Sequence, residues 1–96
     1  MAAPFEIQRI NISPVSWTPV TVPFDCTSFL VKNCDPVNAI RLRTDSTNSA
    51  TEDLLGPGME QPVAMGFHRY RFFAGSRPLW LQATAGTGPV VLKFLA

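Results

Sequence analysis

The 96-residue chain is one domain in size, and at that mass a fold hides only about two-thirds of the unfolded surface, which leaves room for a single modest core. Hydrophobic residues make up 46% of the chain and charged residues only 16%, against roughly 25% charged in an ordinary soluble domain, so part of the surface is expected to lie against a partner. A net charge of +1 creates no long-range field and argues against nucleic acid as ligand, and no apolar run approaches the ~20 residues of a membrane span.

The opening "MAAPFEIQRI" has no basic stretch followed by an apolar one, so no secretory leader is expected and folding in the cytosol is the working expectation. Residues 1–14 read as an N-terminal strand or arm. In "FEIQRINI" (5–12) the β-formers Phe5, Ile7, Ile10 and Ile12 slip phase between Ile7 and Ile10, which predicts a bulge or a change of sheet. "VSWTPVTV" (15–22) is fenced by Pro14 and Pro23, and such prolines confine a strand to an edge or to short pieces. "TSFLVKN" (27–33) reads as the next strand, ended by the turn initiator Asp35-Pro36. "NAIRLRT" (38–44) alternates cleanly, with Ile40 and Leu42 on one face and Arg41 and Arg43 on the other.

Residues 45–62, "DSTNSATEDLLGPGMEQP", carry no sustained period and read as a long loop. It has room for one helical turn at "SATEDLL", capped by Ser49 or Thr51, before Gly56-Pro57-Gly58 ends anything regular. Strand character returns in "VAMGFHRYRFF" (63–73), followed by a turn at Ala74-Gly75-Ser76. "LWLQAT" (79–84) and "VVLKFL" (90–95) then predict a hairpin closed by "AGTG" (85–88). Gly86 and Gly88 supply positive φ there, and Pro89 takes the first position of its strand. Seven or eight short strands at roughly ten-residue spacing predict an all-β domain, a single antiparallel β-sandwich or barrel spanning residues 1–96.

The residues that carry chemistry are few. If 26–34 formed one strand, Cys26 and Cys34 would stand roughly 26 Å apart, too far for a disulfide, so both are expected reduced and buried. Two thiols and one histidine without CxxC spacing predict no metal site. His68 lies among aromatics in "GFHRYRFF", with no nucleophile motif near it. Asp45, Glu52, Asp53 and Glu60 cluster in the polar stretch, where solvation explains them, and neither "GPG" nor "GTG" fits a phosphate loop. The expectation is a protein that is not an enzyme and uses no cofactor.

Strand alternation sorts the rest by face. Phe67, Arg69, Arg71 and Phe73 fall on one side of their strand, and His68, Tyr70 and Phe72 on the other. Arg69 and Arg71 could join Arg41 and Arg43 in a four-arginine patch if their strands are neighbours. Arginine is enriched at protein interfaces because its planar fork pairs carboxylates and stacks on rings. In "LWLQAT" Leu79, Leu81 and Ala83 oppose Trp80, Gln82 and Thr84, and in the last strand Val90, Leu92 and Phe94 oppose Val91, Lys93 and Leu95. Both strands therefore carry apolar groups on two faces, covered either by the long loop or by another subunit. The predicted partner contacts are Arg41, Arg43, Arg69, Arg71 and Trp80, with Glu52, Leu54, Leu55 and Met59 from the long loop.

Four features, an early "TPVTVP" strand, "FLVKN" before an Asp-Pro turn, a "LLGPG" loop and the closing "PLWLQATAGTGPVVLKFL", resemble small virion proteins of tailed bacteriophages. The likeness is to the head-decoration (cement) or fibre-adaptor kind and covers most of residues 15–96. It implies a jelly-roll-like β-sandwich, oligomeric on the virion, that binds the major capsid protein or another virion protein and stabilises neighbouring subunits without catalysis. Assembly in the host cytoplasm would follow. A tail or fibre-base protein, and a carbohydrate-binding sandwich using Trp17, Trp80 or Tyr70 as a platform, are the alternatives.

Overall fold

The computed structural model describes residues 4–64 and 72–96. Eight strands run in chain order: β1 (Phe5–Asn11), β2 (Thr18–Val20), β3 (Ser28–Asn33), β4 (Ile40–Arg43), β5 (Asp53–Leu55), β6 (Glu60–Ala64), β7 (Leu79–Ala83) and β8 (Pro89–Leu95). They form two antiparallel four-stranded sheets, the first in the order β1-β8-β3-β6 and the second in the order β2-β7-β4-β5.

Alternation in the sequence sets which side chains face inward. The first sheet turns Phe29, Val31, Val90, Leu92 and Phe94 into the core, and the second supplies Val20, Ile40, Leu42, Leu55, Leu79, Leu81 and Ala83. Phe29 lies at the centre, with ring centroids 5.0 Å from Phe94 and 5.4 Å, edge-on, from Phe72. Ile12, Val22, Cys26 and Phe72 close the core from the connections.

One polar side chain is built into this interior. Asn33, fully buried at the end of β3, donates from Nδ2 to the carbonyls of Asn38 (2.8 Å), Leu55 (3.0 Å) and Gly56 (3.1 Å). Its Oδ1 accepts from the Asp35 N–H (3.0 Å). A single amide thus ties the first sheet to one end of the β4–β5 pair, at the entry to β4 and the exit from β5. Asp35 continues the chain of bonds by accepting from the Val37 and Asn38 N–H groups. Those backbone bonds hold its carboxyl below the ordinary range, and they are the physical content of the Asp-Pro turn signal.

Several expectations are corrected. The closing segments do not pair as a hairpin: β7 belongs to the second sheet and β8 to the first, and residues 84–88 arch between them. Gly88 explains the arch. It is buried at φ +53°, so tightly seated that a Cβ there would lie 2.6 Å from Ile12 Cγ1 and 2.8 Å from Ala83 Cβ. Its carbonyl accepts from the Ile12 N–H (2.9 Å). The core faces of β7 and β8 therefore meet across the interior instead of lying side by side.

The predicted bulge in the first strand is also absent. β1 pairs with β8 in unbroken register from Phe5↔Leu95 to Asn11↔Pro89, so Ile7 faces outward and Ile10 inward. The long loop proves largely structured. Asn48, not Ser49 or Thr51, caps a one-turn 3-10 helix over Ser49–Thr51, after which "DLL" forms β5 against β4 and "EQPVA" forms β6 against β3. Both cysteines are free, but only Cys26 is buried; Cys34 is exposed beyond the end of β3. Burial, reinforced by the neighbouring Asp25 carboxylate, pushes the Cys26 thiol up, which makes it a poor nucleophile.

Candidate functional site

The two sheets share an interior but differ outside. On the second sheet the outward positions line up in rows across the strands: Pro19, Trp80 and Arg43 in one, Gln82, Arg41 and Leu54 in the next. Trp17, just before β2, lies beneath the Arg43 guanidinium, whose carbon is 4.4 Å from the ring centroid. Arg43 also donates from Nε (3.0 Å) and Nη2 (2.7 Å) to Glu52 Oε1, and from Nη1 to the Ser46 carbonyl (3.0 Å). Arg41 Nη1 donates to Gln82 Oε1 (2.9 Å).

These contacts are worth little as stability. An exposed ion pair contributes about 0–1 kcal/mol, and a surface cation–π contact about 0.5–1 kcal/mol. Their effect is orientation. Both guanidiniums are fixed on a surface that also presents two half-buried indoles and the 58%-exposed Leu54. Fixed arginines beside tryptophans have the composition of interface centres, because little side-chain freedom remains to be lost on docking.

Five of the predicted contact residues therefore gather on one face: Arg41, Arg43, Glu52, Leu54 and Trp80. Leu55 does not join them. One residue beyond Leu54 it points the other way, and at 5% exposure it belongs to the core. Met59 is exposed, but on the turn between β5 and β6. Arg69 and Arg71, and with them the four-arginine patch, lie outside the described residues, as do His68 and Tyr70. Trp17, Pro19 and Gln82 complete the face. Gln82 shares the parity of Trp80 and could have been found from it, whereas Trp17 reaches the face only through the stack with Arg43.

The first sheet presents outward Phe5, Ile7 and Leu95, all about half exposed or more, with Leu30 and Val91 half-buried beside them. Its only ion pair among the described residues joins Lys93 and Glu60 (3.0 Å). Among the described residues, no group of three or more His, Cys, Asp or Glu is placed to hold a metal, and no helix is long and apolar enough to cross a membrane. A cleft between the sheets is lined, among the described residues, by residues that include Leu42, Thr51, Asp53 and Val63. No protein-family model matches the chain, and no curated protein matches it in sequence.

Proposed function

We propose that the protein is a structural binding protein, a small β-sandwich of jelly-roll topology that attaches to a neighbouring protein surface through the outer face of its second sheet. A capsid decoration or cement role is the specific form we favour, with the major capsid protein or another virion protein as partner and several copies bound by symmetry.

The topology supports this reading. Strands pair as β1 with β8, β2 with β7, β3 with β6 and β4 with β5. That is one long antiparallel ribbon of strand pairs, wrapped so that alternate pairs fall in opposite sheets. Wrapping of this kind produces the jelly roll, an architecture common to viral capsid and lectin domains. Fold alone does not decide function, and the observation that carries the proposal is the fixed tryptophan–arginine face. Of the aromatic platforms a lectin would use, Trp17 is already covered by Arg43.

On a shell, the apolar part of this face would gain roughly 25 cal/mol per Å² buried, less the cost of association, and repetition over symmetric sites would add up across the particle. The experiment is co-sedimentation with capsid shells assembled without this protein. Saturable binding that Trp80→Ala weakens at least about thirtyfold supports the reading. Binding to tail or fibre assemblies in place of shells would move the protein to the other end of the virion. Binding to neither, with Trp fluorescence responding to glycans, would favour a sugar-binding module.

A further inference from the structure

We infer that β1 is a self-pairing edge: two copies of the chain join antiparallel through β1, centred on Ile7, and merge their first sheets into one continuous eight-stranded sheet. This inference is independent of the role given to the second sheet.

The argument begins with the four sheet edges. An open edge is a template for another strand, and proteins blunt edges with brevity, proline, charge or a bulge. β6 carries Pro62 at its middle. β2 is three residues long and carries Pro19, and β5 is three residues long and begins with Asp53. β1 is neither short nor interrupted; its two charges, Glu6 and Arg9, are of opposite sign and are groups that a second copy would pair. It runs seven residues, FEIQRIN, without proline, glycine or bulge, and among the described residues nothing pairs with its outer side.

The backbone groups on that side are aligned for pairing. At the two ends of the β1–β8 ladder the Ala96 N–H donates to the Pro4 carbonyl (3.1 Å), and the Ile12 N–H to the Gly88 carbonyl (2.9 Å). On the other flank of β8, the Cys34 N–H donates to the Pro89 carbonyl (2.9 Å). Antiparallel ladders alternate their bonds, so the even residues of β1 face β8. Phe5, Ile7, Arg9 and Asn11 therefore turn N–H and C=O off the free edge.

The side chains specify the occupant. About a two-fold axis through Ile7, perpendicular to the sheet, Ile7 meets Ile7 of the second copy. Phe5 meets Arg9, a ring opposite a guanidinium, on the outer face. Glu6 meets Gln8, an acceptor opposite a donor, on the inner face; within one copy Gln8 Nε2 already donates to Glu6. Each residue from 5 to 9 thus finds a complementary partner, and both charges of the strand, Glu6 and Arg9, are used. A register centred on Gln8 would instead set Glu6 against Ile10 and Phe5 against Asn11.

The test reads self-association by sedimentation equilibrium, together with site-specific cross-linking. Ile7→Pro deletes an N–H that points off the edge and leaves the β8 ladder intact, and an edge strand tolerates it. It is expected to weaken dimerisation about a hundredfold, since it removes bonds at the centre of the pairing, with the far-UV spectrum unchanged and Ile7→Val dimerising normally. In a Cys34→Ser background, Ile7→Cys should oxidise to a covalent dimer, because paired Cα atoms lie about 5.5 Å apart there, whereas Gln8→Cys should not. The cross-link reads the pairing even if the proline variant fails to fold. A wild-type chain that stays monomeric at every concentration overturns the inference. So does a dimer that survives Ile7→Pro in a folded chain but is lost on Trp80→Ala. Cross-linking through Gln8→Cys in place of Ile7→Cys overturns the register.

Discussion

The outer faces of the two sheets both expose apolar groups but treat them differently. On the second sheet three large groups are held in place: Trp17 under Arg43, Arg43 on Glu52, Arg41 on Gln82. On the first sheet Phe5, Ile7 and Leu95 stand exposed, and among the described residues the one ion pair joins Lys93 to Glu60. The inner faces follow one rule, apolar residues turned inward at every second position, with Phe29 and Phe94 on the first sheet and aliphatic side chains on the second. The fold therefore constrains the inward positions, and the outward ones are free to carry function. As proposed, the ordered face meets a partner of different chemistry and the β1 edge meets a second copy.

That contrast can be broken most severely where the sheets are joined. Gly88→Ala would force a methyl group into Ile12 and Ala83 at a positive φ. It should cost about 3 kcal/mol or more, seen as a fall in Tm of over about 10 °C. Asn33→Ala is expected next, at about 2–3 kcal/mol in chemical denaturation, since it strands the Leu55 carbonyl in the interior and the Asn38 and Gly56 carbonyls beside it.

Substitutions on the tryptophan–arginine face should separate binding from stability. Arg43→Ala is expected to change unfolding free energy by less than about 1 kcal/mol. It should nonetheless weaken partner binding at least about tenfold, because Trp17 and Glu52 lose the group that orders them. Equal losses in stability and in binding would mean that the arginine serves the fold alone.

The smallest effect concerns pH. Backbone bonds to Asn38 and Val37 lower the Asp35 carboxyl, and bonds from Thr47 lower Asp45. A carboxyl lowered by folding stabilises the fold fully above its unfolded value, about 3.9, and loses that contribution as pH falls through the folded value. Acid titration of wild type and Asp35→Asn should therefore differ in slope only below about pH 4. A difference near neutrality would place the linkage elsewhere.

Much of this architecture was legible in the residues, and what was not has a physical reason. Arg41 and Arg43 opposite Ile40 and Leu42 is a local alternation, and β4 follows it without exception. Pro14 and Pro23 predict an edge or short pieces for the segment between them, and β2 is a three-residue edge strand there. The "AGTG" link was read wrongly because glycines at positive φ serve a hairpin and an arch alike. The choice between them depends on Ile12, more than seventy residues earlier, closing over Gly88. β5 is too short to show a period, and its polar neighbours concealed it. The same division holds for the site. The outward placement of Arg41 and Arg43 followed from parity, but parity set Trp80 only opposite Leu79 and Leu81, and Leu54 beside Arg41 and Trp17 beneath Arg43 depend on which strands are neighbours.

The central claim is that the second sheet's outer face is the surface that meets a partner. Hydroxyl-radical footprinting of the chain, free and bound to capsid shells, tests it most directly, because both tryptophans of the sequence lie on that face and Met59 and Phe73 serve as exposed controls elsewhere. The account predicts that oxidation of Trp17 and Trp80 drops on binding while Met59 and Phe73 react as before. Unchanged tryptophan oxidation in a fully bound sample would contradict it.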